Sequence, residues 1–233
     1  MKRYTKRTKL ADIVSKNPIL LSVLERLNIQ LGFGEATIGE ICTKYNLSPD
    51  LFIEICNLYI FEDYTPSVDK IGTADITMLV EYLNTSHKYY KEKSLPSLHT
   101  NIHKLLENKS GASINILRKF YDDYDKEIAS HFEYEENEVF PYVNSLVCSK
   151  GEAKSISNGQ LCIDTFDENH TNIEVKISDL KSIVIKYLPE DFSYSAKIAV
   201  LKDIFEIEAD LLRHTILEDR LLIPLVKRLE KGR

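Results

Sequence analysis

Apolar residues recur at intervals of three and four through most of the chain, and the strict alternation of a half-buried strand is scarce. This pattern predicts helices and an all-α fold. In the first sixty residues the periodic pieces are short: one near residues 9–15, then PILLSVLERLN, ATIGEICTKYN and SPDLFIEICNLY. Asn17 before Pro18 reads as a helix start, and so does Ser48-Pro49-Asp50. A short polar side chain can accept from a free N–H of the first turn, and proline suits the first helical position. From residue 73 onward the periodic pieces lengthen, to roughly 73–92, 95–108, 112–147, 161–188 and 194–230. Between the two regimes lies IFEDYTPSVDKIGT, which has a proline and a glycine and no helical period. The expected organisation is a small helical N-terminal domain over 1–60, a linker over 61–73 and a four-helix bundle over 74–233. The clearest loop of the second block is KSISNGQL, at 154–161.

Composition narrows the functional classes. With 30 basic and 36 acidic residues the formal charge is −6, the wrong sign for a surface that neutralises phosphates, and no nucleic-acid partner is expected. Lys2, Arg3, Lys6, Arg7 and Lys9 form a local basic cluster that reads as a solvated end. The segment TIGEICTKYNLSPDLFIEICN has the rhythm of a helix-turn-helix. Its second helix, however, carries Asp50 and Glu54 and neither lysine nor arginine, which is unsuited to reading DNA. No apolar run approaches the roughly 18 residues of a membrane span, so no membrane partner is expected and the chain reads as cytoplasmic. Cys42, Cys56, Cys148 and Cys162 form no C-x-x-C pair and read as reduced thiols, the first two buried among apolar residues.

The histidines carry the chemical signal. There are six, and 21 of the 233 residues are glutamate, so chance would place a glutamate four positions after about half of one histidine. Four have one: His103/Glu107, His131/Glu135, His170/Glu174 and His214/Glu218. On a helix that spacing sets an imidazole and a carboxylate one turn apart on one face, where both can reach one cation. An internal repeat singles out a subset. HFEYEENEVFP (131–141) and HTILEDRLLIP (214–224) share the histidine, the glutamate, two apolar residues and a closing proline. Their histidines are 83 positions apart, and so are His87 and His170. The second block thus reads as a duplicated helix pair, each half offering one lone histidine and one His-x-x-x-Glu unit, which together fit a four-helix bundle with inward-facing ligands.

The set His87, His131, Glu135, His170, His214 and Glu218 offers four imidazoles, two carboxylates and no thiolate. It suits a borderline-to-hard transition metal. Iron fits a bundle in which Glu135 and Glu218 bridge two ions beside a solvent-derived bridge, while zinc and manganese stay open. His103/Glu107 lies outside the repeat and reads as a solvent-facing pair. Glu174 is left open as a ligand or proton relay. Glu133, Glu136 and Glu138 read as a solvated face, Tyr134 as core or rim, and Pro141 and Pro224 as kinking or ending their helices beyond the site.

The pattern resembles the hemerythrin-like, or HHE cation-binding, domain over about residues 75–230, and the two repeated motifs resemble those of the iron–sulfur cluster repair di-iron proteins. That resemblance implies an oxo- or hydroxo-bridged pair of iron ions held by the six residues, with both glutamates bridging. It also implies nitric oxide or dioxygen as small ligand, damaged iron–sulfur proteins as partners, and a role in nitrosative and oxidative stress. Whether such a protein turns over as an enzyme is left open, as is its oligomeric state, a homodimer included. The alternative is an interaction module that senses oxygen or iron. Oxygen-carrying hemerythrins place a fifth histidine on the third bundle helix, where this chain has Phe166 or Glu174, and a more distant aspartate on the fourth; both departures favour the repair type. The segment from Lys9 to Phe52 is similar to the small N-terminal domain of the repair proteins, except that Gly32-Phe33 stands where that domain has a Cys-Cys pair.

Overall fold

A computed structural model describes residues 4–148, 163, 166 and 173–231, and their regular structure is helical throughout. In chain order the helices are α1 (Leu10–Val14), α2 (Leu20–Arg26), α3 (Ile38–Lys44), α4 (Pro49–Ile60), α5 (Thr73–Tyr89), α6 (Leu95–Leu106), α7 (Ala112–Tyr134) and α8 (Phe140–Cys148). They continue with α9 (Ile173–Lys186), α10 (Tyr194–Leu217) and α11 (Ile223–Lys231). Helices α5, α7, α9 and α10 belong to the four-helix bundle, and α1–α4 form the N-terminal helical part. Among the described residues there is no strand, only an isolated antiparallel bridge between Lys9 and Thr37.

Local chemistry explains two of the helix starts. Helix α3 opens with a reciprocal cap: Thr37 accepts from the Glu40 N–H at 3.3 Å, and Glu40 Oε2 accepts from the Thr37 N–H at 2.8 Å. Ser48 accepts from the Leu51 N–H at 3.3 Å with Pro49 at the first helical position, as its sequence predicts. Asn17 behaves differently. Its amide donates backward to the Ile13 carbonyl at 2.8 Å, helping to close α1, and α2 begins only at Leu20.

Three π-helical segments interrupt the long helices: Tyr90–Ser94 after α5, Glu135–Val139 after α7 and Glu218–Leu222 after α10. Each ends two residues before a proline, namely Pro96, Pro141 and Pro224. Proline lacks an N–H and its ring crowds the carbonyl four residues back, and a wider π turn absorbs both problems. Pro141 and Pro224 therefore do not end their helices; the chain stays helical through a π turn and continues as α8 and α11.

The residues group into two compact units. One draws on Met1–Ser86, Phe140–Glu168 and Arg213–Arg233. Within it α2 and α3 pack on α4, and α11 packs on α8. A buried relay joins the N-terminal helices to α5: Arg26 donates to the Tyr59 hydroxyl at 2.8 Å, and Tyr82 donates to the same oxygen at 2.7 Å. Residues 61–73 are pinned by side chains. Tyr64 and the Ser67 N–H donate to buried Glu54, Arg220 donates to the Glu62 carbonyl at 2.6 Å, and Arg228 donates to the carbonyls of Val68 and Ile71. The other unit comprises His87–Val139 and Asn169–Leu212. Its core is apolar and runs through α6, α7, α9 and α10, with Leu98, Ile128, Phe132, Ile177 and Ile204 all sealed from solvent. Here α9 lies against α7.

Candidate metal centre

The two repeated motifs fold alike. His131 sits at the end of α7 and Glu135 on the first residue of the π segment that follows, with Nε2 3.2 Å from Oε1. His214 and Glu218 repeat this at the end of α10, again at 3.2 Å between Nε2 and Oε1. The four-residue spacing thus does what helical geometry requires of it. His87, near the end of α5, brings its Nε2 to 3.1 Å from Glu135 Oε2. The two oxygens of Glu135 accordingly face different imidazoles, His87 on one side and His131 on the other. His87, Glu135 and Glu218 are fully buried and His214 nearly so. One donor atom from each of His87, Glu135, His214 and Glu218 lies within 4.8 Å of the others.

This donor set fits a cation. Two carboxylates with 0% exposure are costly to bury as anions unless positive charge compensates them. Ligands about 2.1 Å from one transition metal are spaced about 3.0 to 3.4 Å from each other, the range of the imidazole–carboxylate separations here. His87 adds a proton-counting argument. Its Nδ1 lies 3.1 Å from Glu136 Oε1 while its Nε2 faces Glu135, and a neutral imidazole has only one N–H to donate. With that proton on Nδ1, the Nε2 lone pair is left for a metal.

The sequence profile of the hemerythrin HHE cation binding domain matches residues 78–226. The chain belongs to this family. A comparison with curated proteins found no match. Membership of this family implies metal binding, and the group of His87, Glu135, His214 and Glu218 could hold a metal ion.

Glu136 is the functional residue that the sequence pattern misplaced. Expected on a solvated face, it is half-buried, faces His87 Nδ1, and accepts from Lys91 Nζ at 2.7 and 2.8 Å. Hydrogen bonding to His87, reinforced by Lys91, holds its carboxyl down at about 2, so it is an anion that can only accept. An imidazole ligand whose far nitrogen is fixed on a carboxylate keeps its tautomer and its aim. Lys91 lies one turn after His87 on the same stretch of chain, and that spacing was the available signal. Phe132, fully buried, stacks on His87 with ring centroids 4.3 Å apart and on Tyr90 at 5.6 Å, which fixes the ring from its face.

The remaining predicted residues divide plainly. His131 meets Glu135 but is outside the four-residue group. His170 and the Glu174 side chain lie outside the described residues, as does Cys162. Glu133 and Glu138 are exposed, and Tyr134 is 37% exposed. His99, His103 and Glu107 lie on and just after α6 and are not part of this group. Cys42 and Cys56 are buried free thiols, with burial pushing Cys42 up to about 12 and raising Cys56 as well, so neither is a ready thiolate at neutral pH. Among the described residues no helix is long and apolar enough to cross a membrane.

Proposed function

We propose that this hemerythrin-family chain is a non-haem di-iron protein that serves the repair of iron–sulfur clusters under nitrosative and oxidative stress. The observation that carries the reading is Glu135, whose two carboxylate oxygens address two separate imidazoles, the arrangement a bridging carboxylate needs. His87, His131, Glu135, His170, His214 and Glu218 would hold the two ions, and the two buried glutamates offset the repulsion between close cations. When bound, iron supplies a valence change and an open coordination position suited to nitric oxide or dioxygen. The chain's own part is to keep the donors aimed and dry. Glu136 holds the proton on His87 Nδ1, Lys91 keeps Glu136 charged, and Phe132 excludes water from one face of the ring. Iron donation to a damaged cluster and capture of the small ligand both use this arrangement, in a cytoplasmic setting and with damaged iron–sulfur proteins as partners.

A second reading, an interaction module that senses oxygen or iron, is favoured by Gly32. Its φ of +91° suits glycine and strains a cysteine, so this loop is built without the thiol pair of the repair proteins. The deciding measurement is metal content and optical spectrum of the chain from iron-replete cells, taken aerobically, after anaerobic reduction and after nitric oxide exposure. Two irons per chain, with ferric absorption that bleaches on reduction and shifts with nitric oxide, is the expected result. One metal, or zinc without a redox response, overturns the di-iron repair reading and leaves the sensing module.

A further inference from the structure

A cleft of about 670 Å3 opens between α6 and α7, and its lining includes His99, His103, Glu107, Arg118, Tyr121 and Asp122. His99 and His103 are exposed and one helical turn apart, with ring centroids 4.1 Å from each other. Neither makes a hydrogen bond or ion pair with a described residue. Tyr121 lies beneath them, its ring 5.9 Å from that of His99. Although the Tyr121 side chain is only 2% exposed, its hydroxyl has no hydrogen-bond partner among the described residues. A buried hydroxyl left unpaired is costly, so its presence in the lining of a polar cleft calls for a partner.

The candidates differ in chemistry. An anion would meet the carboxylates of Glu107 and Asp122, and Arg118 is turned away from it, donating to the carbonyls of Leu106 and Lys109 at the end of α6. A cation meets two imidazoles at the i, i+4 spacing that lets both nitrogens reach one ion, with two carboxylates lining the same cleft. We infer that this cleft is a mononuclear site for a borderline divalent transition cation, held by His99 and His103 and separate from the buried His/Glu centre. Remaining positions are filled by water, which Tyr121 receives as the hydrogen-bond partner its hydroxyl lacks. Asp122 and Glu107 supply the neutralising charge. Lys104, the one other cation of the lining, is exposed on a flexible stem and can swing clear.

The test compares the iron-loaded full chain with its His99→Gln/His103→Gln variant, both equilibrated with micromolar nickel and then desalted. Total metal, iron plus nickel, is counted per chain. The expected result is one more equivalent in the wild type than in the variant, with the iron of the buried centre unchanged. A Tyr121→Phe variant keeps the equivalent but binds nickel about tenfold more weakly by calorimetry, as loss of a group holding a metal's water does. Equal total metal in wild type and double variant overturns the site. Nickel binding that the double variant retains at full affinity overturns it as well, whatever the buried centre contains.

Discussion

The two copies of the repeated motif are alike at the histidine and the glutamate, and residues that flank them, Glu136 in the first and Arg220 in the second, make different contacts. His131/Glu135 and His214/Glu218 share the same 3.2 Å separation, the same start of a π segment at the glutamate and the same proline beyond it. After the first glutamate comes Glu136, which turns inward to fix His87 and is held by Lys91. After the second come Asp219 and Arg220, both exposed, and Arg220 reaches the Glu62 backbone. Both copies thus set one imidazole and one carboxylate a turn apart, a spacing with which a helix can serve a metal. Two flanking residues make different contacts: Glu136 faces an imidazole of the site, and Arg220 holds the backbone at Glu62.

The comparison breaks most visibly at the shared positions. Glu135→Ala and Glu218→Ala should each lose most of at least one metal equivalent, because removing a buried carboxylate leaves an ion both under-ligated and less compensated. Elemental analysis of the purified variants reads this directly. Retention of two irons in both would sink the bridging roles. Helical content should survive in both, since the apolar core of the second unit does not depend on the ligands.

At the diverged positions the two copies should separate. Glu136→Gln keeps the shape of the side chain but removes its charge, and metal affinity should fall about 10- to 100-fold, the usual effect of losing the group that orients a histidine ligand. Competition with a chelator of known affinity measures it. Lys91→Met should act in the same direction by no more than about threefold, because its partly exposed ion pair with Glu136 only keeps that carboxylate in place. If Glu136→Gln leaves affinity untouched, the inward turn of Glu136 has no bearing on the metal.

How far the sequence announced all this depends on the range of each interaction. The motif geometry was legible because it is local: a four-residue spacing on a helix fixes the distance between His131 and Glu135 whatever surrounds them. The capping Ser48 was legible for the same reason. Glu136 was misread because its partner, His87, is 49 positions away in sequence and only the bundle brings them together. Asn17 failed in a different way, since the same amide can serve a helix start or close the turn behind it, and here it closes α1. The prolines at 141 and 224 gave the right location for a helix irregularity but not its kind. A π turn that accommodates the proline keeps the chain helical, and it begins on the glutamate of the motif, Glu135 or Glu218.

The smallest effect belongs to Arg220. Arg220 donates from Nη1 to the Glu62 carbonyl at 2.6 Å, a charged donor on a neutral acceptor in a solvent-exposed setting. Such a bond contributes about 0.5–1 kcal/mol once water competes for both partners. Arg220→Ala should therefore lower the midpoint of denaturant unfolding by a correspondingly small amount and increase amide exchange around Glu62, while metal content stays equal to that of the wild type. Glu136→Gln should show the converse, with metal affinity reduced and exchange around Glu62 unchanged. If Arg220→Ala instead loosens metal binding as much as Glu136→Gln does, Arg220 acts on the site as well, and the contrast drawn between these two residues is wrong.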